Sequence, residues 1–254
     1  MPLHAQPVCW KKRLSVVRGF SRYLHMLNLS TEVPPPDLLA YRYRRPTPYL
    51  YSETEIVGLM AAAGALSPPF RAVTYRTLFG LLAATGIRIG EAIRLDHADL
   101  DLEAGLIRIR QTKFAKSRQL PLHPTPVAAL DEYARQRDRM YGKSTAPCFF
   151  VSTRGARLID ACVHRVFARL AARVGLEPRA GSGRPRIHGL RHTFAMATLG
   201  DWYRAGVDVT SRLPLLSAYL GHVDPISTYW YLQAAPELLA LAAERLEHRE
   251  EQPR

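Results

Sequence analysis

The periodicity of apolar residues constrains this chain most: it repeats every three to four residues almost throughout, and shifts to a period near two around Gly105. The run Leu106-Ile107-Arg108-Ile109-Arg110 reads as a strand, because successive side chains of a strand face opposite sides. Gln119-Leu120-Pro121-Leu122 looks like its return partner, which makes residues 111–117 a hairpin tip. The rest is helical in pattern. Ser52 followed by Glu55 is a capping box, opening a helix with Ile56, Leu59, Met60 and Ala63 inward. An apolar helix over 70–84 stops at Gly86, and another begins near Arg88. Further helices are expected at 124–140, 160–174, 189–205, 212–220 and 236–249, with a short strand at 149–151. No internal repeat or low-complexity tract interrupts this order. The expected fold is mainly α with a small antiparallel β-sheet (α+β).

A chain of 254 residues, 47% of them apolar, can bury a sizeable core. Its apolar runs break well short of the roughly 20 residues of a membrane span, so no membrane role is expected. Pro2, His4, Gln6 and Pro7 stand where a secretory signal carries its apolar segment. The expected location is the cytoplasm, at the nucleoid. Cys9, Cys148 and Cys162 are too scattered for a disulfide framework or a metal knuckle, and read as buried thiols.

Charge narrows the partner. A formal +13 and a pI near 10.0 suit a polyanion. Residues 1–50 hold Lys11, Lys12, Arg13, Arg18, Arg22, Arg42, Arg44 and Arg45 against Glu32 and Asp37. The last stretch, 236–254, is acidic and better suited to a protein contact. Leu14, Val17, Phe20, Leu24 and Leu27 recur at helical spacing, so one amphipathic helix spans 10–28. Residues 31–49, with Pro34-Pro35-Pro36, Pro46 and Pro48, read as a linker. The segments are thus 1–30, a proline-rich linker at 31–49, a main body at 50–249 and a tail at 250–254.

Several chemistries are absent from the sequence. It has no GxxxxGK[ST] loop, no GxGxxG after a strand, and no HExxH or carboxylate-rich metal cluster. Arg, Lys, His and Tyr at element ends remain. Arg88 follows Gly86 at a helix start, where its fork could clamp a phosphate beside backbone N–H groups; Glu91, one turn on, could brace it from behind or simply favour the helix N-terminus. Lys113 and Lys116 lie on the hairpin tip, able to touch DNA or deliver a proton. In His188-Gly189-Leu190-Arg191-His192, positions 188 and 191 share a helical face. They pair a group that titrates near neutrality with a permanent cation. Leu190, Phe194 and Ala195 would face the core. Leu220-Gly221-His222 precedes Tyr229, Trp230 and Tyr231, and periodicity does not choose between the two tyrosines.

Taken in order, these pieces resemble the tyrosine recombinase (phage-type integrase) family, whose signature runs Arg…Lys…His-x-x-Arg…His…Tyr. The matching stretches are ATGIRIGEA, TKFAKSRQLPL, HGLRHTFA and LGH, spread over about residues 50–246. The nine-residue step from His222 selects Tyr231 over Tyr229. The resemblance implies a site-specific recombinase that cuts and rejoins duplex DNA through a 3′-phosphotyrosyl link, without metal or ATP. Its catalytic set would be Arg88, Lys113, His188, Arg191, His222 and Tyr231, supported by Glu91. Arg88 and Arg191 would neutralise the phosphate, Lys113 would protonate the 5′ oxygen, His188 would act as base or positioner, and His222 would donate to a phosphate oxygen. DNA contacts are expected from Lys11, Lys12, Arg18, Arg22, Arg42, Arg44, Arg45 and Lys116. Partners would be double-stranded DNA and further copies of the chain, four at synapsis, with other recombinases as further candidates. The 30 residues between Arg191 and His222 resemble integrases carried on bacterial transposons more than chromosome-dimer resolvases. Residues 1–30 correspond to one helix of the family's N-terminal DNA-binding domain, so the expectation is a shortened clamp. The rival readings are a relaxing enzyme of the type IB topoisomerase kind and a catalytically idle DNA-binding accessory protein.

Overall fold

The computed structural model describes residues 7–39, 47–110, 117–142, 147–179, 181–222, 228 and 231. The chain divides into two compact units, 1–46 and 47–254. In the first, helix α1 (Pro7–Leu27) leaves Trp10, Phe20, Tyr23 and Leu27 uncovered. Arg18 Nε donates to the Pro34 carbonyl at 2.8 Å, and its Nη2 donates to that of Pro35, so the helix is tied to the proline run that follows it. Cys9 is exposed on this helix, which corrects the expectation of three buried thiols. Cys148 is buried and Cys162 half-buried.

The second unit is built around α3 (Pro69–Thr85), nine of whose residues are buried. Against it pack α2 (Glu53–Gly64), α5 (Pro124–Tyr141) and α7 (Ile187–Arg204), while α6 (Asp160–Arg173) lies against α2 and α7. The capping box at Ser52 and Glu55 is formed in both directions. Leu59 and Ala63 are buried inward, with Ile56 and Met60 half-buried beside them. The short helix α4 (Ile89–Arg94) follows Gly86, and α8 (Val209–Leu220) packs on α7.

Three strands form one antiparallel sheet in the order β1 (Leu100–Asp101), β2 (Leu106–Ile109), β3 (Arg118–Pro121). The register sets Ile107 opposite Leu120 and Ile109 opposite Arg118. Ile107, Ile109 and Leu120 point into the core, as the alternation requires. β1 was not foreseen, since two residues are too few to show a period. The stretch 149–151 is not a strand. Its backbone groups are satisfied piecemeal, in part by side chains: the Phe149 N–H donates to the Leu95 carbonyl at 2.8 Å, the Val151 N–H to the Tyr133 hydroxyl at 3.0 Å, and Arg137 donates to the Phe149 carbonyl at 3.1 Å. Isolated bridges Asp96–Cys148 and Val151–Arg157 are what remain of a ladder. The expected hairpin tip and the helix at 236–249 lie outside the described residues.

Candidate active site

The site forms where α8 ends. The last carbonyls of a helix have no intrahelical partner, and they carry the negative end of its dipole. Here three successive carbonyls each receive an arginine. Arg118 Nε donates to Tyr219 O at 2.8 Å, Arg191 Nη2 to Leu220 O at 2.7 Å, and Arg88 Nη2 to Gly221 O at 2.8 Å. These arginines come from β3, α7 and the N-terminal edge of α4, elements far apart in sequence. The chain turns at Gly221 with φ +69, a left-handed conformation that glycine adopts without steric cost, and passes directly to His222.

Glu91, only 4% exposed, joins two of the arginines. Its Oε1 accepts from Arg88 Nη1 at 2.9 Å and Arg118 Nη1 at 3.1 Å. Its Oε2 accepts from Arg118 Nη2 at 2.8 Å and from the Arg88 backbone N–H at 3.0 Å. Burial alone would raise its carboxyl pKa, but the hydrogen bonds and charge of Arg118, then those of Arg88, outweigh it and hold the pKa below the ordinary value. The carboxylate thus orients the Arg88 fork, as the sequence suggested, and also that of Arg118, which it did not.

Arg191 is 3% exposed and sends Nη1 to the carbonyl of Gly86 at 2.8 Å as well as Nη2 to Leu220. Burial, and then the like charge of Arg88, lower its pKa from 12.5 to about 10. It remains a cation at neutral pH, held in a low-dielectric setting where its charge acts strongly. Helix α7 begins at Ile187, two residues before the expected start, because Ile187 is itself a buried anchor. A Cβ at Gly189 would lie 2.8 Å from the Tyr49 carbonyl oxygen, so this turn packs directly on backbone. The Tyr51 N–H donates to Thr193 Oγ1 at 2.8 Å and secures the next turn. Leu190 and Ala195 are buried and Phe194 half-buried.

Tyr231 is 2% exposed and belongs to the apolar cluster of α7 and α8, with Leu199, Leu213 and Leu216. Its hydroxyl lies 3.0 Å from His192 Nδ1. The His222 ring stacks beside it at 6.2 Å between centroids, and His222 Nδ1 is 2.7 Å from Thr228 Oγ1. His188, exposed on the first turn of α7, meets the His192 ring edge to face at 4.6 Å. Arg88, Glu91, His188, Arg191, His222 and Tyr231 therefore converge. Lys113, Lys116, Arg42, Arg44, Arg45 and Tyr229 lie outside the described residues. Lys11, Lys12 and Arg22 are exposed on α1, in the other unit, while Arg18 is engaged with the proline run.

Sequence reasoning missed Arg118, His192 and Thr228. Arg118 carried no periodic signal, since its partners Glu91 and Tyr219 are 27 and 101 residues away. His192 stood in plain view four residues after His188, the helical spacing that brings two rings together. The molecule also holds an apolar hollow of about 630 Å³ between α3 and α5, lined by Met60, Val73 and Leu130, and none of the convergent residues borders it.

Residues 51–237 match the phage integrase family. A protein named as an integrase/recombinase, y4rB of Sinorhizobium fredii, is 43% identical over 98% of this chain and 81% of its own length. The tyrosine recombinase XerC of Chlamydia caviae is 30% identical over 90% of this chain and 68% of its own. Among solved structures, XerA recombinase superposes with a TM-score of 0.62 at 23% identity, covering 100% of this chain and 86% of that one. XerH bound to its difH substrate gives 0.64 at 20% identity, covering 96% and 73%. The chain belongs to the phage integrase family, and its mainly helical fold with one small sheet is that of tyrosine recombinase catalytic domains. Within that family it is a tyrosine-type DNA recombinase of the site-specific class; neither rival reading is favoured by these relatives. No helix among the described residues is long and apolar enough to cross a membrane.

Proposed function

We propose that Tyr231 is the nucleophile and that Arg88, Lys113, His188, Arg191 and His222 act with it on one phosphodiester of duplex DNA. The observation that carries this reading is the shared helix end: Arg88 and Arg191 both reach the last carbonyls of α8, one residue from His222. Two forks fixed on one anchor can address one phosphate, and rigid donors stabilise developing charge without reorganisation. Tyr231 attacks phosphorus, the 5′ oxygen leaves with a proton from Lys113, and a 3′-phosphotyrosyl link remains. The free 5′ hydroxyl of a second strand reverses the step. His188 positions the phosphate or accepts a proton, His222 donates to a nonbridging oxygen, and Glu91 holds Arg88 in place.

The partners on this reading are double-stranded DNA and further copies of the chain, four at synapsis, as in the lambda integrase tetramer bound to a Holliday junction. Residues 50–249 would carry the chemistry. The basic residues Lys11, Lys12, Arg18, Arg22, Arg42, Arg44, Arg45 and Lys116 would follow the DNA backbone, which makes binding strongly salt-dependent. The chain would work at the nucleoid. The test is a pool of nicked duplexes of random sequence, from which strands covalently captured by the chain are isolated and sequenced. Tyr231→Phe should lose all capture and keep DNA affinity within about threefold, since one hydroxyl is a small part of the phosphate contacts. Loss of capture in Tyr229→Phe instead would transfer the role to that residue.

A further inference from the structure

We infer that His192 is a catalytic residue of this site, the group that holds the Tyr231 hydroxyl and takes its proton during attack. The inference rests on Tyr231 being the nucleophile. Three observations carry it. His192 Nδ1 is 3.0 Å from the phenol oxygen, within the range at which a base can accept a proton directly. Tyr231 is 2% exposed, so bulk water is poorly placed to receive that proton. The neighbouring arginines cannot receive it, because a guanidinium has no acceptor; His222 Nδ1 is engaged with Thr228 Oγ1 at 2.7 Å, and with His192 as the base His188 keeps the positioning role. An imidazole titrates near neutrality, which suits a base that must be reprotonated and released within one cycle.

The geometry around the ring fixes its orientation. Helix α7 sets His188 and His192 one turn apart, and their rings meet edge to face at 4.6 Å. The Tyr231 ring lies 5.5 Å from that of His192, also edge to face. With the ring proton on Nε2, Nδ1 accepts from the phenol. In cleavage the phenol O–H bond breaks, its proton passes to Nδ1, and the oxygen's electron pair forms the bond to phosphorus. The bond from phosphorus to the 5′ oxygen breaks, and that oxygen takes a proton from the Lys113 ammonium. In rejoining, the 5′ hydroxyl gives its proton back to Lys113 and attacks phosphorus. The departing Tyr231 oxygen then recovers its proton from the His192 imidazolium. No atom or electron is left over, and no co-reactant is needed.

The test uses the full chain and a nicked duplex selected from the random pool. His192→Ala should slow covalent attachment by about 100-fold or more, the scale of a lost general base, with DNA affinity unchanged within about twofold. His192→Gln keeps a side-chain carbonyl that accepts the phenol hydrogen but does not take the proton, so it should be comparably slow. It also fills the space should the alanine variant fail to fold. A duplex with sulfur at the 5′ bridging position leaves without a proton and should rescue neither variant. Attachment by His192→Gln within about threefold of the parent would reduce the residue to a prop and overturn the inference. Rescue by sulfur would move it to the leaving group, with the same result. Tyr231→Phe run alongside separates the two levels. Continued attachment there removes the nucleophile assignment, whereas its loss beside unaffected His192 variants overturns this inference alone.

Discussion

Arg191 on α7 caps the C-terminus of α8 through the Leu220 carbonyl, 2.7 Å away, and its other terminal nitrogen holds the Gly86 carbonyl at the end of α3. One buried cation thereby ties two helix ends together beneath the site. Depressing its pKa from 12.5 to about 10 costs the fold roughly 3 kcal/mol at neutral pH, at 1.36 kcal/mol per unit. A group held at that cost for structure alone could be replaced by an apolar side chain. Beside Arg88, that cation is placed to meet the charge of a phosphate.

Lysine should not substitute for either arginine. It has no planar fork, so it cannot hold a helix carbonyl and present a second donor in fixed geometry. Arg88→Lys and Arg191→Lys are each expected to slow covalent attachment to a selected nicked duplex by about 100-fold, the scale of one lost charge-stabilising donor. Near-normal attachment by either variant would remove that residue from the reaction.

Glu91 predicts an acid-sensitive fold. Its folded pKa lies below the ordinary value of 4.5, so its stabilisation is complete above that value and is lost as pH falls through the folded one. Glu91→Gln, which leaves Arg118 and Arg88 without their carboxylate, should lower stability by about 3 kcal/mol at neutral pH. Denaturant unfolding of parent and variant should converge as pH drops from about 7 to about 3. A gap that stays constant over that range would show that the carboxylate charge is not what stabilises.

Gly221 and Gly206 offer a controlled pair. Both have a φ near +70, at +69 and +70, so alanine at either adds strain of about 1–2 kcal/mol. A Cβ at Gly206 meets nothing within 4 Å, whereas at Gly221 it would sit 2.6 Å from Arg118 Nη1. Both variants should lose thermal stability, Gly221→Ala the more because it also crowds Arg118, and only Gly221→Ala should slow attachment, by about tenfold, the effect of displacing a group slightly from its working position. Equal rates in the two variants would show that the Arg118 anchor does not matter to the chemistry.

Lys113 and Lys116 can be separated by the leaving group. If Lys113 supplies the proton, a 5′ bridging sulfur should restore attachment to Lys113→Ala by about 100-fold, since proton donation is worth that much. The same substrate should leave Arg88→Lys slow. Rescue of Lys116→Ala instead would exchange the two roles.

Much of the fold could be read from local pattern. The capping box at Ser52, the stop at Gly86 and the alternation after Gly105 each depend on neighbours within a few residues, and each is present as read. The stretch 149–151 misled because a short β-branched and aromatic run looks the same whether a strand or two side chains satisfy its backbone. Tyr133 and Arg137 answer that question, and they lie on another element. His192 was visible but unassigned, since its meaning depends on where Tyr231 packs 39 residues later.

The sequence by itself determined the family, through six residues in a fixed order, and the helices, through periodicities that every isolated segment carries. Tertiary structure alone decided how the arginines divide their labour. Arg88 and Arg191 stand out in the sequence as signature residues and Arg118 does not, yet all three become one device because β3, α4 and α7 all abut the last turn of α8. Helix carbonyls with no intrahelical partner, and a buried carboxylate beside them, need donors from somewhere. Only the packing of the whole unit specifies which donors arrive.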